Sequence, residues 1–109
     1  MKTVAILSNA KKDRDFKTAE KVYNIIKDKY SVISYVNMHI NGIKYTSEEY
    51  VIRNAELIIV LGGDGTILRT ARKVCKRKTP ILGINMGRVG FLAEIEKNSL
   101  EKYLSRLID

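Results

Sequence analysis

The chain has 109 residues, 45% of them hydrophobic and 29% charged, and its 20 basic and 12 acidic residues give a formal net charge of +8. This length and composition are typical of a single globular domain, so we expect residues 1–109 to form one. The sequence lacks a run of about 18 apolar residues for a membrane span and a signal peptide, so we expect a cytoplasmic protein with no membrane partner.

The first half of the chain alternates apolar runs with segments of helical periodicity. Residues 3–7 form a short apolar run typical of a strand. Apolar residues then recur every three or four positions over 16–30, which predicts a helix of about four turns. A second strand is predicted over 31–36, and Ser47 is placed to cap a short helix over 48–54.

The second half continues this alternation of strands and helices. The segments 57–61 and 81–85 are near-continuous apolar runs, as expected for strands that are buried on both faces of a parallel sheet. A helical pattern lies between them and ends before Pro80, and a last amphipathic helix is predicted over 99–108. We therefore predict an α/β, Rossmann-like fold with a mostly parallel sheet of about four to five strands and helices on both faces.

The helical periodicity also predicts which side chains are buried. On the last helix it places four residues inward: Leu100, Tyr103, Leu104 and Leu107. Cys75 is the only cysteine in the sequence. It falls on the apolar face of the preceding helix, so we expect it to be buried as a small hydrophobic residue.

A glycine-rich segment, Gly62-Gly63-Asp64-Gly65-Thr66, joins a predicted strand to a predicted helix. Glycines in such a turn can adopt positive φ and bring N–H groups close to phosphate oxygens. Thr66 adds a hydroxyl near the helix N-terminus, where an anion is favoured. Asp64 adds a carboxylate, which a phosphate site tolerates if it binds a metal, accepts a hydroxyl proton or hydrogen-bonds a sugar. The segment therefore predicts phosphate chemistry on a nucleotide.

A second glycine-punctuated segment, 83–91, surrounds the end of the next predicted strand. Parallel sheets bind ligands at the carboxyl ends of their strands, so we expect both segments to line one crevice. The sequence has no P-loop motif, and the stretch 63–68 lacks the last glycine of Gly-x-Gly-x-x-Gly. A P-loop enzyme and an ordinary dinucleotide dehydrogenase are therefore both disfavoured.

Together the two segments resemble the NAD kinase family. Residues 62–66 match a signature that NAD kinases share with diacylglycerol-type lipid kinases and, more loosely, with phosphofructokinases. Residues 82–94 look like the NAD kinase pattern Gly-Ile-Asn-x-Gly-x-x-Gly-Phe-Leu, where lipid kinases carry a Gly-Thr-Gly-Asn-Asp-Phe-type segment. The first strand, 4–9, also matches, so the resemblance covers essentially the whole chain.

The resemblance implies a reaction and a set of site residues. The reaction is phosphoryl transfer from ATP, or in some members polyphosphate, to the 2′-hydroxyl of the adenosine ribose of NAD, giving NADP with the help of a divalent metal such as Mg²⁺. Asp64 matches the catalytic aspartate that accepts the hydroxyl proton. The implied substrate- or cofactor-binding residues are Gly62, Gly63, Asp64, Gly65, Thr66, Arg69, Asn85, Gly87, Phe91 and Leu92. No protein ligand is assigned to the metal.

The chain is shorter than the members of the family that it resembles. NAD kinases continue into a largely β domain with an Asn-Asp or Asn-Glu pair, and they are commonly homo-oligomers. We therefore expect this chain to be the N-terminal domain of such an enzyme, with little or no kinase activity by itself. A non-catalytic nucleotide-binding module and a lipid kinase domain are the alternatives.

The basic residues are densest on and after the helix that follows residue 66. Most of this cluster is expected to be a solvated face, and steering of anionic nucleotides is a second interpretation. Aromatic residues are not interleaved with the basic ones, so we expect no nucleic-acid partner.

Overall fold

The computed structural model describes residues 1–86 and 97–108, which contain a five-stranded parallel sheet flanked by four α-helices. The strands are β1 (Lys2–Ser8), β2 (Tyr30–Ser34), β3 (Lys44–Tyr45), β4 (Leu57–Gly62) and β5 (Ile81–Asn85). The helices are α1 (Lys17–Ile26), α2 (Glu48–Asn54), α3 (Asp64–Val74) and α4 (Lys97–Ile108). Short 3₁₀ turns at Arg14–Phe16 and Cys75–Arg77 precede α1 and follow α3.

The strand order is β3-β2-β1-β4-β5, so the chain builds outward from β1 first to one side and then to the other. The direction of winding reverses between β1 and β4, which are paired from Val4↔Leu57 to Ser8↔Leu61. In sheets of this kind the ligand lies at the carboxyl ends of the strands, beside such a reversal point. The topology therefore predicts a ligand site at the carboxyl edge, which is the side of the sheet at which β1, β4 and β5 end.

The two faces of the sheet are covered by different helices, which confirms the predicted α/β architecture. Val4 and Ile6 of β1 point into a core formed with α1 and α4. Ala5 and Leu7 point the opposite way, into a core formed with α2 and α3. Because successive strand residues alternate between faces, a strand covered on both must be apolar throughout. This is why β1 and β4 read as continuous hydrophobic runs.

The short helix α2 has the bounds that the sequence predicts. Its N-cap is Ser47, whose Oγ accepts a hydrogen bond from the Tyr50 N–H at 3.1 Å. The cap satisfies one of the N–H groups that the first turn of a helix leaves without a partner. Among the helices of residues 1–86 and 97–108, none combines the length and the hydrophobicity that a bilayer span requires.

One sequence prediction about a helix end was wrong, and one strand was not predicted. Helix α1 ends at Ile26, and Tyr30 is not on its face but begins β2, paired with Lys2 of β1. Tyr30 continues the helical spacing by coincidence, because it is four residues from Ile26. Strand β3 was not predicted, since its two residues sit in a polar segment and it is defined only by pairing with β2.

Three predictions of burial were also wrong. On α4, Leu100 and Leu104 are buried, but Tyr103 is 54% and Leu107 40% exposed. Within the described residues this helix packs along a narrow stripe, so the neighbouring apolar positions stay in solvent. Cys75 is exposed because α3 ends at Val74 and Cys75 starts the 3₁₀ turn, which rotates it off the helical face.

Substitutions on α4 test this packing directly. Leu104 is fully buried, so Leu104→Ala should lower the free energy of unfolding of the 109-residue chain by about 2–5 kcal/mol through lost contacts and a cavity. Leu107→Ala makes the same chemical change at an exposed position of the same helix, and it should cost less than about 0.5 kcal/mol. Urea denaturation measures both, and equal effects would contradict the assigned face.

Candidate functional site

The carboxyl edge is held together by backbone hydrogen bonds that join the ends of three strands. The Asn9 N–H, just after β1, donates to Leu61 O of β4 at 3.1 Å. The Met86 N–H, just after β5, donates to Gly62 O at 2.8 Å. The segments that leave β1, β4 and β5 are therefore fixed relative to one another where a ligand is expected.

Helix α3 begins inside the glycine-rich segment. Gly62 ends β4, Gly63 is the N-cap in an extended conformation, and Asp64 is the first helical residue. An acidic residue in the first turn is stabilised by the helix dipole. The free N–H groups of this turn face the carboxyl edge, so the same turn offers donors to an anion.

Gly62, Gly63 and Gly65 do not use the positive φ that glycine can adopt. Gly63 has φ −86°, and Gly42 is the glycine with positive φ in the described part of the chain. Gly62 is required instead by close packing, because a Cβ there would lie 3.0 Å from Thr66 Cβ. At Gly63 and Gly65 a Cβ would meet nothing within 4 Å, so these two positions border open space at the edge of the sheet.

The two motifs meet through their polar side chains. Asn85, the last residue of β5, donates from Nδ2 to Oδ1 of Asp64 over 2.5 Å. Both residues are exposed. This hydrogen bond orients the Asp64 carboxylate through Oδ1 and does not involve its other oxygen, Oδ2. The structure thus brings together Asp64 and Asn85, two of the residues that the sequence predicts for the site.

Thr66 is the second polar centre of the site. Its Oγ1 accepts from Arg69 Nη2, one turn further along α3, at 3.4 Å. It also accepts from Nδ2 of Asn9, at the end of β1, again at 3.4 Å. Asn9 was not among the predicted site residues. A polar residue at the end of a strand adjacent to β4 is the sequence signal that points to it.

The loop between β1 and α1 is fixed by a buried carboxylate. Asp13, 2% exposed, accepts hydrogen bonds from Ser8 Oγ at 2.8 Å and from the N–H groups of Thr18 and Ala19 at 2.9 and 3.0 Å. The last two N–H groups belong to the first turn of α1, whose N-cap residue offers no side-chain acceptor. Asp13 therefore caps α1 from a distance and ties it to the end of β1.

Gly87, Phe91 and Leu92, also predicted for the site, lie outside the described residues. Among the described residues, two side chains outside the motifs have shifted pKa values. A hydrogen bond to Glu48 raises the pKa of Lys73, and burial raises the pKa of Tyr35. Lys73 Nζ lies 3.0 Å from Glu48 Oε2, so this ion pair joins α2 to α3.

The site offers a divalent metal one exposed carboxylate rather than a cluster of ligands. Within residues 1–86 and 97–108, no three His, Cys, Asp or Glu side chains converge on one point. Asp64 does offer an exposed carboxylate at the carboxyl edge, with one oxygen on Asn85. Mg²⁺ commonly binds one or two carboxylates and completes its shell with phosphates and water. This donor set therefore fits a metal that arrives with a nucleotide.

Comparison with known proteins assigns the chain to a family. Residues 4–109 match the family model of the ATP-NAD kinase N-terminal domain. The chain belongs to the NAD kinase family. It is 42% identical over 107 residues to a NAD kinase of Clostridium kluyveri, covering 98% of this chain and 37% of the relative. It is 37% identical over 112 residues to a NAD kinase of Natranaerobius thermophilus, covering 99% of this chain and 39% of the relative.

The fold agrees with a solved structure of the same kind. The crystal structure of yeast NADH kinase complexed with NADH aligns with 99% of this chain at a TM-score of 0.64 and 19% identity. The chain covers 38% of that structure. Thus the described domain spans somewhat over a third of the length of the NAD kinases that it matches.

Within the motif, a glycine packed against Thr66 and a glycine that faces open space should respond differently to substitution. Gly62→Ala should destabilise the chain by about 1–3 kcal/mol, since the new Cβ collides with Thr66. Gly65→Ala places its methyl in open space within α3, so the free energy of unfolding should be unchanged or rise by up to about 1 kcal/mol. Chemical denaturation compares them, and a tolerated Gly62→Ala would refute the packing argument.

Proposed function

We propose that residues 1–109 form the nucleotide-binding domain of an enzyme that transfers a phosphoryl group to the 2′-hydroxyl of the adenosine ribose of NAD, giving NADP. The donor is ATP or polyphosphate. The observation that carries this proposal is the hydrogen bond between Asp64 and Asn85. It joins the motif shared by several kinase families to the second motif, which distinguishes NAD kinases from lipid kinases.

Asp64 is proposed as the proton acceptor. Phosphoryl transfer depends mainly on positioning and charge neutralisation, with a base within hydrogen-bond reach of the attacking hydroxyl. The Asn85 amide holds Oδ1, so Oδ2 is the oxygen that would accept the proton of the ribose hydroxyl. The attacking oxygen then forms its bond to the transferred phosphorus as the bond to the leaving phosphate breaks.

The first turn of α3 is proposed to bind phosphate oxygens. Its open positions at Gly63 and Gly65 leave room for a ligand to approach the backbone N–H groups. Arg69 is exposed on the same turn and adds positive charge beside Thr66. Because the chain carries a net charge of +8, its field also favours the approach of anionic nucleotides.

A divalent metal would neutralise charge on the transferred group when it is bound with the nucleotide. Asp64 is the carboxylate that the described residues offer it at the carboxyl edge, so phosphates and water would supply most of its other ligands.

The rest of the dinucleotide site is proposed to lie in the part of the protein beyond this domain. NAD kinases that match the chain are more than twice its length, and NADH is bound in the similar yeast enzyme. Gly87, Phe91 and Leu92 are proposed to contact NAD from the second motif. A cytoplasmic homo-oligomer is the proposed state of the complete protein, and the isolated chain should show little or no kinase activity.

Replacing the proposed base tests the function. In the complete protein, Asp64→Asn keeps the size of the side chain but removes its ability to accept a proton, so kcat for NADP formation should fall by about 10²–10⁴-fold. The measurement is steady-state kinetics with ATP, Mg²⁺ and NAD. Asp28→Asn makes the same change at an exposed position between α1 and β2 and should leave kcat unaltered. Near-normal turnover by the Asp64 variant would exclude it as the base.

A further inference from the structure

The hydroxyl of Thr66 has an unusual hydrogen-bond arrangement for a helical threonine. Threonine in a helix commonly donates its hydroxyl to the carbonyl four residues earlier. Thr70 does so in α3, with Oγ1 3.0 Å from Thr66 O. At Thr66 the corresponding carbonyl is Gly62 O, which accepts from the Met86 N–H instead. Within the described residues, the Thr66 hydroxyl donates to no carbonyl of its own helix.

Two donors converge on the Thr66 oxygen. A hydroxyl has two lone pairs and one proton. Asn9 Nδ2 and Arg69 Nη2 each donate to Oγ1 at 3.4 Å, so the oxygen has one donor for each of its two lone pairs. No acceptor for its proton is found among residues 1–86 and 97–108. The proton is therefore available to a group outside these described residues.

The orientation of the Asn9 amide is fixed independently. Its Oδ1 accepts from the Lys11 N–H at 3.0 Å, so Nδ2 is the atom that faces Thr66. The backbone N–H of Asn9 is bonded to Leu61 O in the adjacent strand, which holds the residue in place. Asn9 can thus donate to Thr66 but cannot accept from it.

We propose that Asn9 is a positioning residue that, together with Arg69, turns the Thr66 hydroxyl into a hydrogen-bond donor toward an anionic phosphate oxygen. This inference rests on the proposed function and adds a residue outside both glycine-rich motifs. The oxygen belongs either to the phosphoryl donor or to the pyrophosphate of the dinucleotide. Both are hydrogen-bond acceptors, and a hydroxyl already engaged by two donors is set to bind an acceptor.

The test uses the complete protein with Asn9→Ala and Asn9→Asp. The aspartate variant is nearly isosteric with asparagine and keeps the acceptor for the Lys11 N–H, but it loses the donor to Thr66. It replaces the alanine variant in the test if the alanine variant folds poorly. Loss of one such bond should raise KM by about 3- to 10-fold. A rise in the KM for ATP assigns the oxygen to the donor, and a rise in the KM for NAD assigns it to the dinucleotide.

The chain offers a matched control. Asn37 is exposed in the loop after β2, and its Oδ1 accepts from the His39 N–H at 3.0 Å, the same local turn that Asn9 makes with Lys11. Asn37→Ala removes such a turn without any contact to Thr66, so both KM values should stay unchanged. If Asn9→Ala behaves like Asn37→Ala, Asn9 has no positioning role.

A double-mutant cycle with Thr66→Val separates positioning from general damage. If Asn9 acts through the Thr66 hydroxyl, Asn9→Ala should have almost no further effect once that hydroxyl is absent. Independent, multiplying effects would overturn the inference. Calorimetric titration with ATP and Mg²⁺ repeats the cycle without turnover. If the complete protein binds ATP but does not phosphorylate NAD, the proposed function is refuted, and the binding cycle still decides the role of Asn9. If the unaltered protein binds neither ATP nor NAD, both the proposed function and the role of Asn9 are overturned.

Discussion

The close approach of α3 to the sheet is the constraint on which the site depends. Thr66 packs against Gly62 of β4, and Ile67 packs against Gly83 of β5, so that a Cβ on either glycine would lie 3.0 Å from the helix. A larger residue at either position would require the Thr66 or Ile67 side chain, and with it the first turn of α3, to shift by a few tenths of an ångström or more. That turn carries the free N–H groups, the Asp64 carboxylate and the Thr66 hydroxyl, and shifting it would misplace all three.

A second constraint comes from the loop between β1 and α1, which combines strained backbone with a buried carboxylate. Asp15 and Phe16 both have positive φ, at 53° and 54°, and such conformations cost on the order of 1–3 kcal/mol each. The buried Asp13 carboxylate offsets this cost by bonding to the end of β1 and the start of α1. The loop is thereby held beside Asn9, which contacts the glycine-rich turn. Strain of this kind persists where the surrounding structure over-determines it, and active sites are common places for it.

The residues that form the hydrophobic cores of the domain are different from the polar residues that form the site. Its two cores lie between the sheet and the helix pairs α1–α4 and α2–α3, and they are built from side chains that take no part in the site. The polar side chains of the site stand at one edge, exposed or half-buried among the described residues, where a ligand can reach them.

The parallel α/β architecture, the capped helix α2 and the family could be predicted from the sequence, because continuous apolar strands and two spaced glycine motifs are local patterns. The remaining features were set by the tertiary structure. It placed Tyr30 in a strand, left Tyr103 and Cys75 in solvent, and added a two-residue strand that exists only through its pairing. It also brought Asn9 to Thr66 across 57 positions. Contacts between distant segments depend on how elements pack, and residue spacing along the chain carries no record of that packing.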